Sequence, residues 1–171
     1  TSSTKLPVSD VIKIVSIGRL VEFKGHLQAL KILRELNAKG TNFLYTIIGD
    51  GPQYSQICEM IQQYDLKSKV QVIKKLEHSK VIEQLQQSQI YLYPGIVDQN
   101  GRAETQGLAN LEAMAQGLVF IGSNIGGVPD YVLSEHTGFL CEPNNVNEFA
   151  DKLQWVIENY QSDTVMKVRE K

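Results

Sequence analysis

A chain of 171 residues, with 17 Lys and Arg against 19 Asp and Glu, is long enough to bury one core unaided and lacks the basic excess of a nucleic-acid binder. Its two cysteines, Cys58 and Cys141, lie far apart in apolar settings, which excludes a disulfide scaffold and paired metal-ligand spacing and reads as reduced core thiols of a cytoplasmic protein. No charged-then-apolar leader is visible, and no apolar run approaches the roughly 20 residues that span a bilayer, so a soluble protein is expected, compatible with peripheral contact at a membrane surface.

The first element in chain order is the β-branched run "KIVSIG" (Lys13 to Gly18). After a loop, "GHLQALKILRELNAKG" repeats its apolar residues at helical spacing until Gly40 stops it. "FLYTIIG" repeats the strand signal, "GDGP" breaks it, and "QYSQICEMIQQY" resumes helical spacing through Ile57, Ile61 and Tyr64. "VQVI", "KVIEQLQQS", "IYLYP", "LEAMAQG" and "LVFIG" continue the alternation, the last being read as the final main strand. "EFADKLQWVIENY" closes as an amphipathic helix with Phe149, Leu153, Val156 and Ile157 inward. This order predicts an α/β fold: a Rossmann-like, doubly wound parallel sheet with helices on both faces. One domain is expected over residues 11–160, with a linker or tail at 1–10 and a C-terminal tail at 161–171.

Sheets of this kind bind ligands beyond the carboxyl ends of their strands, near the point where strand order reverses, so the loops after strands are the places to search. The loop after the first strand, "GRLVEFKG", brings Arg19 and Lys24 to a helix start. A guanidinium fork and a mobile ammonium there suit a diphosphate, although two solvated loop charges account for the same residues. "GDGPQ", with Gly51, follows the second strand as a sharp turn. No G-x-G-x-x-G follows the first strand, which disfavours a nicotinamide or flavin enzyme. That position reads Gly18-Arg19 where a phosphate-accepting receiver module would carry acids.

The segment "GRAETQGLANLEAMAQG" starts as a loop and ends as a helix. Leu108, Leu111 and Ala115 are expected as its inward apolar stripe, leaving Thr105 to Gly107 at the helix mouth, where unpaired amides attract an anion. Glu104 then lies beyond the helix end and Glu112 inside it, so two carboxylates address different parts of one elongated ligand. Carboxylates suit hydroxyl groups, and hydroxyls at both ends of a phosphate describe a nucleotide sugar. Complementing the helix dipole with Glu104 and solvating Glu112 explains the same acids without a ligand.

"SIGRLVEFKG", "IIGDGP" and "ETQGLANLEAMAQGL" followed by "GSNIGGVPD" resemble, in order and spacing, the carboxyl-terminal domain of family 4 glycosyltransferases of GT-B architecture. The resemblance runs from about Ile12 to about Asn159. It implies a domain that binds a nucleotide-sugar donor for transfer with retention, without a bound metal or other cofactor. It implies that Arg19 and Lys24 bind the donor pyrophosphate beside Gly18. Glu104 would lie by the donor sugar and Glu112 at the ribose, with the backbone from Gln106 through Gly107 and Leu108 to Ala109 on phosphate and sugar. Leu76 takes the position near the base, with Gly51 lining the same side. Thr105-Gln106 departs from the usual Gly-Phe pair after the first glutamate, which places donor choice there.

The resemblance also implies a partner domain, amino-terminal to this chain, that binds the acceptor. The fragment is accordingly expected to bind nucleotide and transfer nothing by itself. Bacterial polysaccharide or cell-envelope glycan synthesis is the expected setting, in the cytoplasm or at the inner face of the membrane. A sugar-nucleotide epimerase sharing the donor domain, and a non-catalytic interaction module, stay open as other readings. His26, His78 and His136 stand alone in the sequence and read as structural or solvated.

Overall fold

The computed structural model describes residues 11–170. Six strands, β1 Ile12–Ile17, β2 Phe43–Ile48, β3 Val70–Ile73, β4 Ile90–Tyr93, β5 Val119–Ser123 and β6 Phe139–Cys141, form one sheet in the order β3-β2-β1-β4-β5-β6. Every pairing is parallel. The helices are α1 His26–Ala38, α2 Tyr54–Gln63, α3 His78–Gln87, α4 Leu108–Ala115, α5 Val146–Glu158 and α6 Asp163–Arg169. The Rossmann-like, doubly wound fold expected from the alternation is the one observed.

Both faces of the sheet are covered. Leu30, Leu33 and Leu36 of α1, Ile57 of α2 and Phe149, Leu153 and Val156 of α5 pack with Ile14, Tyr45, Ile121 and Phe139 in one cluster. On the other face Leu85 of α3 and Ala113 of α4 pack with Val15, Tyr91 and Phe120. Because parallel strands are buried on both sides, β4 reads as a continuous apolar run with every residue buried. Burying a side chain such as Leu33 contributes about 2 kcal/mol, so these clusters hold the sheet ends still for the loops above them.

Two expectations are corrected. The segment expected as a C-terminal tail carries a helix: α6 starts on a Ser162 side-chain cap and buries Val165 and Val168 against the larger cluster. The final strand is β6, whose three residues pair with Ile121, Gly122 and Ser123 of β5. Both sheet edges are short, four residues in β3 and three in β6. The expected linker at 1–10 lies outside the described residues. Among those described, no helix is long and apolar enough to cross a membrane.

Candidate functional site

The sheet order reverses between β1 and β4, so the loops after these strands diverge over a common crevice. Buried polar contacts fix the strand ends below it. Ser16 Oγ donates to the Leu92 carbonyl at 2.5 Å, Tyr45 donates to Ser16 at 2.6 Å, and Tyr91 donates to the Ile17 carbonyl at 3.1 Å. The β1 loop is laced to the β2 loop in turn: Gly18 N–H donates to Ile48 O at 3.0 Å and Leu20 N–H to Asp50 O at 2.9 Å.

His26, the first residue of α1, is buried, and its Nε2–H donates to the Arg19 carbonyl at 3.0 Å. It therefore holds the Gly18-Arg19 turn over the helix start, a structural role in line with its solitary place in the sequence. Burial pushes its pKa down to about 4, against the opposing effect of the Arg19 carbonyl and helped by the Lys24 charge. Between pH 6.5 and 4 the unfolded chain takes up a proton that the folded His26 refuses. Stability present above pH 6.5 is consequently lost as pH falls toward 4, by up to about 3 kcal/mol. Urea unfolding midpoints across this window should fall less steeply in His26→Gln than in the wild type; parallel curves would remove His26 as the cause.

Lys24 runs its aliphatic stem along Gly18, where an added Cβ would meet Lys24 Cδ at 3.3 Å. Its ammonium pairs with Oε2 of Glu104, and both side chains are largely buried. The other carboxylate oxygen of Glu104 accepts from the Gly107 amide at 3.1 Å, and Gly107 is the N-cap of α4. Glu104 thus turns back to the mouth of the helix instead of reaching past it. An anionic group already sits between a lysine and a helix-end amide, the arrangement anticipated for phosphate. Arg19 is exposed, and among the described residues no carboxylate pairs with it.

Two supports position Glu104. Upstream, the buried Asp98 carboxylate accepts from the amides of Asn100 and Arg102 and from Arg102 Nε, each at 2.9 Å. The Arg102 amide foremost holds its carboxyl below the usual carboxylate range. Downstream, Gly127 N–H donates to the Glu104 carbonyl at 2.9 Å. A Cβ on Gly126 or Gly127 would run into the carbonyls of Glu104 and Thr105. The glycine pair of "GSNIGGVPD" is therefore more than a turn, because its bare backbone carries the Glu104 segment. Beneath Gly107, Asn110 Nδ2 donates to the Tyr131 hydroxyl at 3.0 Å.

The inward face of α4 differs from the expected stripe. Leu108 is 69% exposed and Leu111 41%, and Ala115 is exposed too, whereas Asn110 and Ala113 are buried. "LANLEAMA" is apolar on nearly every side, so its period does not distinguish the faces, and a buried hydrogen bond to Tyr131 lets Asn110 take the inward place. Thr105 and Gln106 are exposed and Ala109 is half-buried.

The second acid has a partner that sequence reading did not foresee. Half-buried Glu112 accepts from His78 Nε2 at 2.9 Å, and His78 is the first residue of α3. Two residues before it, Leu76 packs against the α3 and α4 cluster. Gly51 follows the neighbouring strand β2, and a Cβ added there would meet the Leu20 backbone at 2.8 Å. The structure thus gathers Gly18, Lys24, Glu104 and Gly107 at one point, with Glu112 further along α4, where it meets His78 at the start of α3, close in sequence to Leu76. A separate cavity of about 360 Å³, lined by Glu22, Gln28, Lys31, Gln53 and Gln99 among others, includes none of the predicted site residues. Among the described residues no cluster of three or more His, Cys, Asp or Glu is arranged to hold a metal ion.

The chain is 30% identical over 142 residues to the putative colanic acid biosynthesis glycosyltransferase WcaL of Escherichia coli, covering 83% of this chain and 35% of that protein. It is 30% identical over 151 residues to the phosphatidylinositol N-acetylglucosaminyltransferase gpi3 subunit of Schizosaccharomyces pombe, covering 88% and 31%. It thus spans about a third of the length of these curated relatives. A mutant of S. aureus TarM, solved in complex with UDP among other ligands, superposes with a TM-score of 0.81 at 22% identity, covering 92% of this chain and 31% of that one. The family model for glycosyl transferases group 1 matches residues 3–171, and with its strand order, its paired loops and these relatives, the chain belongs to that glycosyltransferase family.

Proposed function

We propose that this chain is the donor-binding half of a retaining glycosyltransferase of family 4, holding a nucleoside-diphosphate sugar in the crevice between the β1 and β4 loops. The observation that carries the reading is the meeting of Lys24 and Glu104 at the mouth of α4. Arg19 and Lys24 take the diphosphate, and the backbone from Gln106 to Ala109 supplies amides beside it. Glu104 receives sugar hydroxyls, Glu112 the ribose, and the base lies toward Leu76 and Gly51. Thr105 and Gln106, exposed at the mouth, face the sugar and tune donor choice. The TarM structure with UDP supports a nucleotide ligand on this fold.

In the reaction, the bond between sugar and phosphate breaks and negative charge accumulates on the departing diphosphate. Arg19, Lys24 and the helix amides stabilise that charge more in the transition state than in the ground state. The two glutamates do not flank one bond as the paired acids of a glycosidase do, so neither is assigned as an acid–base pair. The acceptor is held by an amino-terminal domain of the longer protein, in the cytoplasm or at the inner membrane face, and the domain alone binds nucleotide without transferring sugar. The relatives' names support a role in polysaccharide or glycolipid assembly.

Calorimetric titration with uridine, guanosine and adenosine diphosphates tests the reading: at least one should bind, and a folded protein silent to all three overturns it. Arg19→Ala should weaken binding about tenfold, as expected for a charge-assisted contact, and Val21→Ala should leave it nearly unchanged. Equal effects would take Arg19 out of the site.

A further inference from the structure

Resting on the assignment of Glu112 to the ribose, we infer that His78 is a positioning residue for nucleoside recognition, fixing one oxygen of the Glu112 carboxylate so that the other is free for ligand hydroxyls. The helices α3 and α4 lie on the same face of the sheet and are joined by two rungs. One is His78 Nε2 to Glu112 Oε1 at 2.9 Å, and the other is Gln86 Nε2 to Gln116 Oε1 at 3.4 Å. The first rung lies at the carboxyl edge of the sheet, because His78 opens α3 just after β3.

Glu112 is 40% exposed at its side chain, and an exposed glutamate on a helix keeps most of its rotamer freedom unless something holds it. The imidazole provides that hold. His78 stands on the first turn of a helix whose Val81, Ile82 and Leu85 pack into the core, so its backbone is fixed relative to the sheet. The side chain itself is 72% exposed, and its Nε2 lies 2.9 Å from Glu112 Oε1. With Oε1 engaged, Oε2 has no protein partner among the described residues and remains an acceptor. A vicinal diol presents donors to such an oxygen, and their bonds to a carboxylate are charge-assisted. A ligand extending from Glu112 toward Leu76 passes beside His78, which places the residue on the nucleoside side of the diphosphate.

The test separates the nucleoside from the phosphates. UDP, GDP, ADP and inorganic pyrophosphate are titrated into wild type, His78→Ala and His78→Gln, all expected to fold because the site is exposed. His78→Ala should weaken the nucleoside diphosphate that binds by about fivefold, the scale of one hydrogen bond, and leave pyrophosphate within about twofold. His78→Gln retains an amide donor and should recover most of the loss. Unchanged nucleotide affinity in His78→Ala, or an equal loss for pyrophosphate, overturns the role of His78 while sparing the donor-site reading. A wild-type protein that binds pyrophosphate but none of the three nucleotides overturns the ribose assignment and the inference with it.

Discussion

Glutamine in place of Glu104 should make a free nucleoside diphosphate bind more tightly, by about threefold to tenfold, rather than less tightly. The Glu104 carboxylate occupies the position between the Lys24 ammonium and the Gly107 amide. A diphosphate arriving there competes with it for the same cation and meets a like charge in a half-buried setting, where screening by salt is weak. Glutamine keeps the acceptor for Gly107 and removes the competition. Lys24→Met should act in the opposite direction and cost at least about tenfold, because it removes the charge both anions share. Calorimetry on the two variants, with whichever of UDP, GDP and ADP the wild type binds, measures both signs. Weaker binding in Glu104→Gln would mean that the carboxylate organises the phosphate site instead of standing in for its ligand.

Alanine at Gly25 should destabilise the protein by about 4 kcal/mol, lowering the melting temperature by roughly 10 °C for a domain of this size. Gly25 caps α1 with φ at 77°, and a Cβ there would fall on the backbone carbonyl of Pro94, at the end of β4. No side chain yields to make room. The contact closes the crevice from below: Ile96 N–H donates to Phe23 O at 3.0 Å one step away, tying the two diverging loops together. Gly40 supplies the control. Its φ is 78°, yet nothing lies within 4 Å of the added carbon, so Gly40→Ala should cost only the backbone term, about 1 kcal/mol. Thermal unfolding of the two variants side by side separates steric closure from conformational strain. Similar losses would show that the Pro94 contact relaxes easily.

The larger plan was legible because each strand is a compact apolar run and each helix repeats its apolar residues at a clear period. Gly18, Lys24, Glu104 and Gly107 were legible as parts of one site through the family resemblance, which assigns all four to the phosphates and sugar of one donor, while the strand order that brings their loops together came from the structure. What escaped the sequence was short or long-range. β6 has three residues, too few to show a period, and α6 buries one side of a seven-residue helix beyond the last strong pattern. The inward face of α4 is hidden because leucine and alanine occur all round it, and the deciding contact comes from Tyr131, 21 residues away from Asn110. His78 and Glu112 are 34 residues apart on different helices, so no spacing rule joins them.

The brevity of β3 and β6 also bears on how copies of this protein meet. An edge strand offers a row of unpaired amides and carbonyls to which another chain can add by hydrogen bonding, and the length of the row sets how firmly it holds. Rows of four and three residues offer little purchase, and neither invites a neighbouring sheet to continue the ladder. Concentrated samples of the domain should therefore resist fibril-like stacking, leaving self-association to side chains on the helical surfaces.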